Sequence, residues 1–89
     1  MTFERLSALT KLVREYECHK MPDENVVILI SFDQLSELRA MCLKSMIFTQ
    51  ENKEYFMGCE VEMVHEHDYV AVAYARDEKC YKKQEVKNE

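Results

Sequence analysis

Val26-Val27-Ile28-Leu29-Ile30 is five apolar residues in a row, four of them β-branched, with no polar residue alternating between them. A strand reads this way when both of its faces are covered, so the run is expected at the centre of a sheet. Neither it nor any other apolar run of the chain approaches the roughly 20 residues that span a bilayer. The rest of the chain can be placed around it.

Upstream, Phe3, Leu6, Leu9, Val13 and Tyr16 recur at steps of three and four, with Thr2 placed to cap them. That spacing predicts an amphipathic helix from about Thr2 to Cys18. Pro22-Asp23-Glu24-Asn25 then turns the chain into the apolar strand. Downstream, Ser31 or Asp33 can cap a second helix carrying Leu35, Leu38, Met41, Cys42, Met46 and Ile47, ending between Lys44 and Thr49. Met46-Ile47-Phe48 reads equally well as the opening of a strand. Gln50-Glu51-Asn52-Lys53 is a polar turn. From Tyr55 the period becomes two, with Met57, Cys59, Val61 and Met63 alternating with Gly58, Glu60, Glu62 and Val64, a strand with one wet face. After the turn His65-Glu66-His67-Asp68, Tyr69 to Ala75 forms a second strand without alternation. Arg76 to Glu89 reads as a charged tail or a short solvated helix.

The expected architecture is a small α+β domain in the order α-β-α-β-β, residues 1–76, with a charged tail at 77–89 and a short terminal helix as an option. The last two strands should pair as a C-terminal antiparallel hairpin, and two helices should pack on a short sheet. Two strands look buried on both faces. Either each face receives one helix, or both helices take one face and a second copy covers the other, which predicts a twofold homodimer.

One glycine, Gly58, and one proline, Pro22, punctuate 89 residues. Phosphate cradles, dinucleotide fingerprints and nucleophile elbows need several glycines, so those enzyme classes are excluded. The N-terminus lacks a basic stretch followed by an apolar core, which places the expected location inside the cell, in the cytoplasm. In that compartment Cys18, Cys42, Cys59 and Cys80 are expected as free thiols; no two are spaced as a Cys-x-x-Cys pair.

The net charge of −5 is unevenly distributed. Glu51, Glu54, Glu60, Glu62, Glu66 and Asp68 face only Lys53 across residues 51–68, a local −5. Like charges on one strand face repel. They can serve as guards against edge-to-edge aggregation, or as a surface that steers a basic partner. The second reading makes Glu51, Glu54, Tyr55, Glu60, Glu62, Glu66, Asp68 and Tyr69 a partner-binding surface, with the tyrosines as anchors. The partner would be a larger protein with a basic surface, including one that otherwise holds nucleic acid. Direct nucleic-acid binding is disfavoured, because no basic face interleaved with aromatics is present. In an extended segment His65 and His67 would point the same way, about 7 Å apart, and could begin a metal site needing a further ligand. A third alternative is a small-ligand oligomer for a nucleotide or metabolite, with the methionines near the hairpin lining its pocket. No cofactor and no membrane contact is implied. In its short length, acidity and lack of a catalytic signature, the chain resembles small regulatory or inhibitor proteins of bacteriophages and mobile elements. That likeness covers no specific residues and transfers no function; the acidic surface is what points to a non-catalytic protein-binding role.

Overall fold

The apolar run occupies the middle of a six-stranded mixed sheet as β1 (Asn25–Ser31), buried from Val26 to Ser31. The computed structural model describes residues 1–42 and 46–87. Helix α1 (Phe3–His19) precedes β1 and α2 (Phe32–Met41) follows it directly. Then come β2 (Ile47–Gln50), β3 (Lys53–Phe56), β4 (Cys59–Val64), β5 (Val70–Arg76) and β6 (Lys79–Glu85). Across the sheet the order is β2-β3-β4-β1-β5-β6, with β1 parallel to β4 and antiparallel to β5.

Four expectations are corrected. The hairpin expected between the segments at 55–64 and 69–75 is not made, because β1 enters between them and pairs with both. That placement gives the most apolar strand a hydrogen-bonded neighbour on each edge, and its side chains are buried on both faces. The alternating segment is two strands, since Met57 and Gly58 turn the chain and pair β3 with β4. The final segment is neither a tail nor a helix up to Glu85: it is β6, an edge strand on β5. Tyr81 stacks obliquely on Tyr74, its hydroxyl donates to Glu24, and Val86 is buried behind it. Those few anchors suffice for an edge strand, which needs one covered side. The second helix ends at Met41, before the Lys44–Thr49 range expected for its end; Lys44 itself lies outside the described residues.

Three hairpins are closed by two-residue turns: Glu51–Asn52, Met57–Gly58 and Asp77–Glu78, all with φ between 51° and 81°. Positive φ at both central positions marks the turns whose twist matches the strands they join. Gly58 takes the largest of these angles, +81°, without strain.

Both helices lie on one face. Leu9, Leu12 and Val13 of α1 and Leu35 and Leu38 of α2 pack with Val26, Ile28, Ile30, Phe56, Val70, Val72 and Tyr74. Thr2 caps α1, its hydroxyl accepting from the Arg5 amide at 3.1 Å. The opposite face holds a separate cluster of Val27, Leu29, Ala71 and Ala73, to which no described helix residue belongs.

Candidate interaction surface

Alternation along the paired strands assigns residues to the uncovered face. Val27 pairs with Glu60 and Ala73, and Leu29 with Glu62 and Ala71. Tyr55 stands opposite Glu60, and Phe48 opposite Tyr55, their rings stacked at 5.4 Å. On the far side Cys80 stands opposite Ala75 and Glu85 opposite Ala71. This face is thus an aromatic pair at one edge, a row of two carboxylates beside it, a floor of valine, leucine and alanine, and a mixed rim on β6.

The floor is almost sealed although no described helix covers it: Ala71 and Ala73 are 0% exposed. The reason is curvature. The Cys80 thiol lies 4.0 Å from the Glu62 carboxylate, although β1 and β5 separate their strands. On a flat sheet three strand spacings are about 14 Å. The sheet therefore curls, and side chains from β4 and β6 close over the small residues between them. Alanine at 71, 73 and 75 permits that closure. At one end the trough stays open as a cavity of about 280 Å³ between Val27, Lys53, Glu60, Glu62, Glu78 and Cys80. Lys53 reaches Glu60 at 3.4 Å. Burial, then the Glu62 carboxylate, push the Cys80 thiol above its ordinary value. A larger groove of about 490 Å³ runs between α1 and the end of β6 past Arg5, Lys11, Glu15, Gln84 and Lys87. Its charges are mixed and its buried cation, Arg5, is fully engaged elsewhere, so it selects no one ligand chemistry.

The acidic residues grouped by the sequence are divided by the fold. Glu60 and Glu62 share the uncovered face. Glu54 points to the helix side, where Arg39 grips it with two bonds of 2.8 and 2.6 Å and holds its carboxyl below the usual range. Asp68 accepts from Arg5 at 2.6 Å at the end of the sheet. Glu51 sits in the β2–β3 turn, and Glu66 is exposed in the bend before β5. Tyr69 is half-buried against the alanine floor and bonded through its amide to the Ser31 hydroxyl at 3.0 Å. Tyr55 is the expected anchor that does sit beside Glu60. Phe48, Lys53, Glu78 and Cys80 were not expected here; pairing Gln50 with Lys53 across a two-residue Glu51–Asn52 turn would have set Phe48 opposite Tyr55 on the same face.

His65 and His67 are exposed in the bend, and among the described residues no three histidine, cysteine or acidic side chains converge on one point. His67 instead lies near enough to Asp33 to help depress its pKa. That carboxyl is held down at about 2, first by the Ser31 hydroxyl, then by Gln34 and the Asp68 amide. Asp33, Asp68, Arg5 and Ser31 together tie the bend between β4 and β5 to both helices. All four thiols are free: Cys18 and Cys80 are exposed, Cys42 is half-buried and Cys59 is buried. Burial and the neighbouring Glu17 carboxylate push Cys59 up to about 12, the opposite of what a nucleophile requires. No helix among the described residues is long and apolar enough to cross a membrane.

The class these features define is a two-layer α+β domain with one helix-covered and one bare, concave sheet face. Comparison with protein-family models, with curated proteins and with solved structures found no match.

Proposed function

We propose that this chain is a non-catalytic protein-binding module, a regulator or inhibitor that engages a basic surface of a larger partner through its bare sheet face. One observation carries the reading: both helices lie on one side, leaving Glu60 and Glu62 as an adjacent acidic pair on the other, flanked by the stacked Phe48 and Tyr55. Carboxylates on a concave surface focus their field and raise the encounter rate with a cationic partner. Aromatic rings beside them supply contact area at low entropic cost. Basic surfaces that hold nucleic acid are the best complement, since they already match two negative charges at close spacing. The proposed set is therefore narrower than the sequence suggested: Glu62 and Glu60 steer, the latter in an exposed pair with Lys53 that a partner's cation can replace, and Tyr55 with Phe48 anchors, while Glu54 and Asp68 are held by Arg39 and Arg5.

The test begins with capture of partners from the native cell by the wild-type protein and identification by mass spectrometry. Association of the recovered partner is then timed against wild type and the double variant Glu60→Lys/Glu62→Lys. A fall of about tenfold or more at low ionic strength is expected, with a flatter salt dependence. An unchanged association rate in a folded double variant rules the reading out.

A further inference from the structure

The two edges of this sheet are treated differently by the sequence. β6 carries Lys79, Lys82 and Lys83, with positive φ at Lys82 and a shift of register against β5, all of which discourage another strand from pairing with it. The other edge, β2, reads Ile47-Phe48-Thr49-Gln50: no charge, no proline and an unbroken register with β3. Its outward hydrogen-bonding groups can be assigned. In a two-residue hairpin the residues flanking the turn, Gln50 and Lys53, exchange hydrogen bonds, and such pairs alternate along the ladder. Phe48 is therefore bonded to Tyr55, as Met46 is to Met57, whose amide donates to the Met46 carbonyl at 2.8 Å. Ile47 and Thr49 point their N–H and C=O groups away from the sheet.

We infer that β2 pairs antiparallel with β2 of a second copy of this chain, joining two sheets edge to edge about a twofold axis at Phe48. Antiparallel pairing is the one arrangement a strand can make with itself in a closed dimer. In the register centred on Phe48, Ile47 of each copy faces Thr49 of the other, and each such pair exchanges two hydrogen bonds, four in all. Phe48 then stands directly opposite its symmetry mate at a closely spaced position, and the stacked Phe48–Tyr55 pair becomes a row of four rings. Phe48 is 42% exposed in the single chain, and no charge opposes a like charge across this seam. Because the axis stands perpendicular to the sheet, both bare faces look the same way. The dimer extends that surface instead of covering it, so the inference stands or falls separately from the reading above.

A four-residue seam lies below the size of a standard stable interface, so association falls between about 10 µM and 1 mM. Sedimentation equilibrium over that range should show the mass rising from 10.6 kDa towards twice that value. Thr49→Pro removes an outward-facing N–H and no bond to β3, so it should remain monomeric with its circular dichroism intact. Phe48→Lys and Phe48→Glu should each weaken self-association at least tenfold, and an equimolar mixture of the two should restore it. A wild type that stays monomeric to 1 mM overturns the inference, as does dimerisation undiminished in Thr49→Pro or in Phe48→Lys. A mixture of the two charged variants that fails to associate overturns the proposed register.

Discussion

Replacing Arg5 with methionine tests whether burial turns an ordinary ion pair into a structural clamp. Arg5 is 3% exposed and spends its guanidinium on three bonds: to the Val86 carbonyl at 3.0 Å, to the Asp68 carboxylate at 2.6 Å and to the Asp68 carbonyl at 3.1 Å. Hydrogen bonds to a charged group contribute about 1.5–3 kcal/mol each. Against their loss stands relief of the guanidinium's desolvation, several kcal/mol. The Asp68 side chain, 53% exposed, can rehydrate, and methionine preserves most of the packing of the stem. The balance is a loss of about 2–4 kcal/mol, a large part of the total stability of a chain this size. At roughly 4–8 °C per kcal/mol the melting temperature should fall by about 8–32 °C. Urea unfolding followed by circular dichroism measures the loss directly, and tyrosine fluorescence gives a second probe in a protein without tryptophan. Arg39→Met is the internal control: that arginine grips both oxygens of the Glu54 carboxylate, but its side chain is 48% exposed, so the loss should stay within about 1 kcal/mol. Equal losses at the two positions, or a loss below about 1 kcal/mol at Arg5 with an unchanged denaturant slope, would refute the argument from burial.

Two further outcomes follow from the geometry. In native protein a thiol reagent should modify Cys18 quickly, Cys80 and Cys42, whose thiols are pushed up, more slowly and Cys59 only on unfolding, which peptide mapping of the labelled chain would verify; early labelling at Cys59 contradicts its burial beside Glu17. Asp33 has a folded pKa of about 2 against an ordinary 3.8, so its carboxylate stabilises the fold fully above 3.8, and that contribution fades as pH falls towards 2. Urea midpoints of wild type and Asp33→Asn should therefore converge across that window, and curves that remain parallel there would contradict the assignment.

What the sequence made legible was local. The spacing of Phe3, Leu6, Leu9, Val13 and Tyr16 is a property of one helix, and it located α1 to within a residue at each end. The unalternating run at 26–30 carried its own burial with it, so a central strand followed. The pairing of that strand did not, because Ile28 meets Val61 and Val72 through contacts that no neighbouring residues encode. The Met57–Gly58 turn was hidden because the alternation of Tyr55, Met57, Cys59 and Val61 runs straight through it. β6 was hidden because an edge strand with one covered side can be built from lysine and glutamate around Tyr81 and Val86 alone. The acidic surface was misjudged in extent for a related reason. Nearness in sequence gathered Glu54 with Glu60, although the hairpin between them sends one to Arg39 and the other to the bare face.

The insertion of β1 between β4 and β5 has a consequence for the chain as it is being made. Both neighbours of that strand are synthesised after it, and β5 is finished only at Arg76, 45 positions beyond Ser31. At 5–20 residues per second the ribosome needs roughly 2–9 s to cover that distance. Until Val64 is made Val26 to Ile30 has no neighbouring strand, and until Arg76 one of its edges stays open, in a form suited to sticking to other chains. A cell making this protein must therefore shelter its most adhesive segment, by α1 folding back over it or by a chaperone, until the last third of the chain has emerged.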